Sequence, residues 1–125
     1  MKVLVCDDDP ASRLVIKRLI EGYFRYPVTE CGNGADALDL LARDTYSFMF
    51  LDLTMPVMDG IEALTKIRQT PETRSLPVII LSGENDQEAI ERVLQLGITD
   101  YLLKPPRTQA VLSKVEKVVS ALSRK

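Results

Sequence analysis

In the stretch VLVCDDDPAS, residues 3–12, an apolar run ends on three consecutive carboxylates, Asp7, Asp8 and Asp9. Crowded like charges raise the cost of ionising each one unless a cation or hydrogen-bond donors compensate. Three more short apolar runs end at once on a polar group: SFMFL on Asp52, VIIL on Ser82 and YLL on Lys104. If these runs are strands sharing one end of a sheet, carboxylates, a hydroxyl and an ammonium meet there. The chain contains no histidine, and such a set selects a hard cation bound through oxygen; magnesium is the expected ion, with manganese as a substitute. Asp8 and Asp52 would ligate it directly while Asp7 acts through water or hydrogen bonds, and the ion offsets the repulsion among them. Lys104 can neutralise a phosphoryl oxygen and Ser82 can donate a hydrogen bond to another. An aspartate placed among these groups, with Asp52 the central candidate, can attack phosphorus and carry an aspartyl phosphate.

Each residue taken singly has a plainer reading. Asp9 before Pro10 reads as a helix N-cap followed by proline at the first helical position. Ser82 alone is a strand-end hydroxyl and Lys104 alone a solvated strand-end charge. Only their joint placement favours chemistry, and that depends on topology.

The elements that must supply this placement are legible as changes of period. Residues 2–6, 47–51, 78–81 and 101–103 are mostly apolar runs of strand length, which read as strands buried on both faces. Residues 27–31 (PVTEC) make a weaker strand, suited to an edge by Pro27 and Glu30. Between the runs the spacing is helical. The expected buried stripes are Ala11, Leu14, Val15 and Leu19; Ala35, Leu38, Leu41 and Ala42; Ile61, Leu64 and Ile67; Ile90, Val93 and Leu94; and Val111, Val115, Val118, Val119 and Leu122. Asn85 with Glu88 resembles a capping box, Gly97 closes the fourth helix, and Pro105 through Thr108 open the fifth. Strict alternation implies an α/β fold with a doubly wound parallel sheet, right-handed crossovers and helices on both faces. Ligands of such sheets bind beyond the carboxyl ends of the strands, where the polar groups fall.

At 125 residues the chain fits one ordinary domain, so residues 1–125 are expected to be a single unit. Its hydrophobic fraction of 46 % and charged fraction of 27 % describe a globular protein with a real core. No apolar stretch approaches the roughly 20 residues that cross a bilayer and no signal peptide is present, which makes the cytoplasm the expected compartment. The net charge of -2 offers no general attraction to nucleic acid or anionic membrane. Lys114, Lys117, Arg124 and Lys125 read as a solvated helix end. Cys6 and Cys31 match neither a disulfide scaffold nor a zinc spacing and are expected to be small buried hydrophobes.

Taken together in order and spacing, LVCDDDP, FLDLTMPVMDG, VIILSGE and DYLLKPP resemble the receiver domains of two-component response regulators, over essentially the whole chain. The resemblance implies a flavodoxin-like (βα)5 sandwich with strand order 2-1-3-4-5. It implies that Asp52 accepts a phosphoryl group from a histidine kinase or histidine phosphotransfer protein. The metal would be held by Asp7, Asp8, Asp52 and the backbone carbonyl of Thr54. Ser82 matches the switch hydroxyl, Lys104 the phosphate-contacting lysine and Tyr101 the switching aromatic, while Thr54 and Glu84 occupy positions that tune phosphoryl lifetime. Lys104 to Pro105 is the peptide bond that is cis in the family. The implied output is a changed surface of the fourth helix, fifth strand and fifth helix, acting on a downstream protein or a linked output domain; the chain is then a phosphoacceptor signalling domain rather than an enzyme, with no nucleic acid or membrane as its own partner.

Competing readings are a phosphorylation-independent docking module, a small phosphatase with an aspartate nucleophile, and a flavin protein of the same topology. The acidic loop after the first strand would repel a flavin phosphate. A sulfur variant adds to these: the strand order that the resemblance implies makes Cys6 and Cys31 neighbours, so oxidation could perturb the acidic rim.

Overall fold

A computed structural model describes residues 1–83 and 87–124. Strands and helices alternate: β1 (Val3–Cys6), α1 (Pro10–Leu19), β2 (Val28–Cys31), α2 (Gly34–Arg43), β3 (Phe48–Asp52), α3 (Gly60–Gln69), β4 (Val78–Ser82), α4 (Gln87–Leu96), β5 (Asp100–Leu103) and α5 (Thr108–Ser123). The sheet is parallel throughout, in the order β2-β1-β3-β4-β5. This is the flavodoxin-like arrangement expected, with β2 on an edge.

The two-residue period of the strands divides the core. Val3, Val5, Phe48, Phe50, Ile79, Leu81 and Leu102 pack against Ile16 of α1 and Val111, Val115 and Val118 of α5. Leu4, Cys6, Met49, Leu51, Val78 and Ile80 face the other way, against Ala37 of α2, Ala63, Leu64 and Ile67 of α3 and Val93 of α4. Every residue of β1, β3 and β4 is buried, because both faces of the inner strands are covered.

Expectations about burial need correction in four elements. In α1 the buried positions are Ser12, Ile16 and, just beyond its end, Ile20, whereas Leu14 and Val15 stand 43 % and 39 % exposed. The N-terminus sets the phase: Asp9 caps the helix and its Oδ2 accepts from the Ser12 hydroxyl at 2.9 Å, so the i, i+4 series from Ser12 through Ile16 and Ile20 faces the sheet. In α4, Val93 is buried but Leu94 is 57 % exposed. β5 is not buried on both faces; it is the second edge, with Leu102 packed inward and Tyr101 and Leu103 exposed. The α5 stripe is as expected, and in α2 Leu38 and Leu41 pack against the core while Ala42 is exposed.

A π-helical turn, Ile20–Phe24, extends α1 and ends at Arg25, which has φ 61°. No periodicity signalled it. Phe24 stacks on Tyr26 there, with ring centroids 5.8 Å apart. Gly97, at φ 94°, closes α4 as expected, its amide donating to Val93 and Leu94. Asn85, and with it the capping box proposed with Glu88, lies outside the described residues.

Candidate functional site

The carboxyl ends of β1, β3, β4 and β5 bring the expected groups to one rim. Asp7 follows β1, Asp52 and Ser82 are the last residues of β3 and β4, and Lys104 follows β5. Asp7, Asp52 and Ser82 are buried, and Asp8 is exposed. One carboxylate oxygen from each of Asp7, Asp8 and Asp52 can be chosen so that all lie within 4.8 Å of one another.

Lys104 occupies the centre of this group. Its Nζ donates to Asp7 Oδ1 and to Asp52 Oδ2, each at 2.9 Å. Its backbone amide donates to the Ser82 carbonyl at 2.8 Å, and the Lys104–Pro105 peptide is cis. Burial disfavours the ammonium, but the hydrogen bonds to the two carboxylates outweigh it and hold the Lys104 pKa above its ordinary value. Burial pushes Asp52 up to about 7; Lys104 opposes the rise and Asp7 adds to it.

The remaining contacts assign a role to each neighbour. Asp7 Oδ1 also accepts from the Asp9 amide at 2.9 Å, and Asp52 Oδ1 from the Thr54 amide at 3.2 Å. Asp9 turns away to cap α1, accepting from the Ala11 amide and the Ser12 hydroxyl, which lower its pKa. Thr54 and Tyr101 are exposed, and Glu84 lies outside the described residues. Behind the rim Gly60 donates its amide to Leu53 at 3.0 Å, and a Cβ on Gly60 would run into the Asp52 carbonyl, so only glycine lets α3 start this close to β3.

Two buried polar atoms have no partner among the described residues, Asp7 Oδ2 and Ser82 Oγ. Such atoms are costly unless a ligand or water engages them. An acceptor without a donor, an ammonium already seated between carboxylates, and an all-oxygen ligand set together fit a hard divalent cation.

Sequence reasoning missed Arg13. Its Nη1 donates to the Asp7 carbonyl at 2.7 Å and its Nε to Glu30 Oε1 on β2 at 3.3 Å. Lys17, one turn on, donates to Glu30 Oε2 at 3.2 Å. The available signal was the i, i+4 pair of cations on the helix next to a charged residue in an edge strand. Cys6 and Cys31 are free, buried and register partners on neighbouring strands. The Cys6 thiol donates to the Asn33 carbonyl at 3.2 Å and lies 3.5 Å from Met55 Sδ.

A doubly wound five-stranded sheet with an acidic rim and a lysine at its centre defines a class, and the comparisons agree. The chain belongs to the response regulator receiver domain family, which it matches over residues 3–116. It is 31 % identical to chemotaxis protein CheY-3 of Vibrio cholerae over 122 residues, covering 98 % of this chain and 94 % of that one. Its structure is similar to the receiver domain of AraT, a response regulator from Geobacillus stearothermophilus, with a TM-score of 0.89 at 31 % identity over 98 % and 95 % of the two chains. It is also similar to the receiver domain of a sensor histidine kinase from Pseudomonas aeruginosa PAO1, which has a magnesium ion coordinated in its active site cleft; the TM-score is 0.85 at 28 % identity, over 95 % and 97 % of the chains. Receiver domains are signalling domains that histidine kinases phosphorylate on aspartate, that bind Mg2+ at an acidic pocket and that act on downstream targets. Among the described residues no helix is long and apolar enough to cross a membrane.

Proposed function

We propose that residues 1–125 form one receiver unit that acts in the cytoplasm and takes a phosphoryl group on Asp52 in a Mg2+-dependent reaction. The observation that carries this reading is the Lys104 ammonium held between the buried carboxylates of Asp7 and Asp52, beside Asp7 Oδ2 and Ser82 Oγ, which have no partner among the described residues. Asp7, Asp8, Asp52 and the Thr54 carbonyl would hold the ion. Bound there, Mg2+ supplies positive charge that neutralises carboxylate and phosphoryl oxygens. A carboxylate oxygen of Asp52 forms the new O–P bond as the P–N bond of a phosphohistidine breaks, and the departing imidazole takes up a proton. Lys104 moves its contact from the Asp52 carboxylate to a phosphoryl oxygen, and the Ser82 hydroxyl donates to another. Thr54 and Glu84, two residues beyond Asp52 and Ser82 in the sequence, are the positions that tune its lifetime. The donor is a histidine kinase or a histidine phosphotransfer protein, and the chain is a phosphoacceptor, not a turnover enzyme.

Drawing Ser82 and Lys104 toward a phosphoryl group changes the surface formed by α4, β5 and α5, where Leu94, Tyr101 and Leu103 are exposed. A downstream protein or linked domain reads that surface through differential affinity; moving such an equilibrium from 1:99 to 99:1 takes about 5.5 kcal/mol.

Intact mass after incubation with acetyl phosphate and Mg2+ tests the reading. A single phosphoryl adduct is expected, absent from Asp52→Asn and from a chelated control. An adduct that persists in Asp52→Asn would refute the assignment.

A further inference from the structure

The β1–α1 loop poses a problem that its own hydrogen bonds do not solve. The Asp7 amide is paired with the Cys31 carbonyl at 3.0 Å, and Asp7 Oδ1 is held by Lys104 and by the Asp9 amide. Asp8, whose carboxylate belongs to the acidic group, is exposed and makes no side-chain hydrogen bond or ion pair among the described residues. The peptide unit that joins Asp7 to Asp8 therefore sets where that side chain starts and which region its carboxylate can reach. The carbonyl of that unit accepts from Arg13 Nη1 at 2.7 Å, a charge-assisted bond. The other arm of the guanidinium leans on Glu30, which Lys17 braces from the next turn of α1. These ion pairs are about a quarter to a third exposed and contribute little energy. What they supply is direction, since a planar fork held at Nε has few ways left to present Nη1.

We propose that Arg13 is a positioning residue: by holding the Asp7 carbonyl while braced on Glu30, it sets where the Asp7–Asp8 peptide presents its carboxylates and so how tightly Mg2+ binds. The inference rests on the reading that the acidic rim takes Mg2+. A competing effect has the opposite sign. Arg13 also brings a positive charge beside the loop, and charge alone would repel the ion, so removing the side chain would tighten binding. The two effects are thus separable by direction.

The test adds Mg2+ alone, in steps, to 15N-labelled wild type, Arg13→Met, Arg13→Lys and Glu30→Gln, following backbone amide resonances, with thermal melts on the same samples. The Asp8 amide belongs to the peptide whose carbonyl Arg13 engages, so its 15N resonance reports that bond before any ion is added. Positioning requires the Asp8 resonance to move in Arg13→Met without Mg2+ and the dissociation constant to rise about tenfold, the low end for groups that orient metal ligands. Arg13→Lys, which keeps the charge but not the fork, falls between, and Glu30→Gln weakens binding less than Arg13→Met. Tighter binding in Arg13→Met, or a lowered melting temperature with unchanged affinity, overturns the proposal. Failure of the metal reading itself shows differently, as wild-type resonances that never saturate with Mg2+.

Discussion

Asp52→Asn should stabilise the cation-free protein, and the gain should depend on pH. The carboxyl of Asp52 is raised from 3.8 to about 7 in the folded chain, chiefly by burial. Between those values the folded state holds a proton that the unfolded state has released, so this group's contribution is fully present below about pH 4 and is lost as pH rises through about 7. At 1.36 kcal/mol per pH unit, the span from 3.8 to about 7 gives an upper bound of about 4 kcal/mol for ionised Asp52. Solvent at the rim screens part of that charge, and halving the figure leaves about 2 kcal/mol. For a chain of this length that is about 8 °C in melting temperature. Calorimetry in chelator at pH 8.5 and at pH 5 measures it: Asp52→Asn should melt higher at pH 8.5, with more than half the gain gone at pH 5. Added Mg2+ should raise the wild type and leave the variant nearly unchanged. A variant no more stable than wild type at pH 8.5, or equally stabilised at both pH values, would refute the reasoning that burial of a charged Asp52 strains the fold.

Lys104→Met leaves Asp7 and Asp52 facing each other without a cation, and should lower stability at pH 8 by about 2 kcal/mol in chelator, with Mg2+ restoring part of it; denaturant melts with and without the ion check this. The corrected phase of α1 predicts that Ile16→Ala costs about 2 to 4 kcal/mol while Leu14→Ser costs under about 0.5 kcal/mol, again by denaturant melts. The Cys6 thiol is pushed up by its Cys31 neighbour and by burial, so it stays protonated at neutral pH. Iodoacetamide at pH 8 should label Cys6 only after denaturant is added, as peptide mass mapping would show.

The groups brought together at the rim were legible because strand ends can be read where an apolar run stops. Asp7, Asp52, Ser82 and Lys104 each sit at such a stop, and parallel alternation puts every stop at one end of the sheet. The phase of α1 was not legible. Leu14, Val15, Ile16, Leu19 and Ile20 place apolar groups on more than one side of that helix, and the pattern admits two stripes. The deciding interactions are the Asp9 cap and the reach of Arg13 to β2, which are tertiary. β5 misled for a related reason: YLL has the composition of a covered strand, yet its position at the sheet edge leaves Tyr101 and Leu103 without cover. Strand order itself came from the resemblance, since alternation alone fixes parallel pairing but not which strand lies beside which.

The π-helical turn after α1 separates two problems that a straight helix would join. An i to i−5 bond, here from the Arg25 amide to the Ile20 carbonyl, takes in one residue more per turn than the α pattern, and Arg25 then reverses the chain toward β2. The surplus is absorbed at the end of α1 remote from Asp9, so the register of Ser12 and Arg13 against the acidic loop does not depend on it. Gly22, where an added Cβ would meet nothing within 4 Å, lies inside the turn. That segment is a buffer at the pole opposite the acidic rim: exposed Gly22 has room for a larger side chain while Ile20 stays packed on the sheet and the Asp9 end of α1 keeps its geometry.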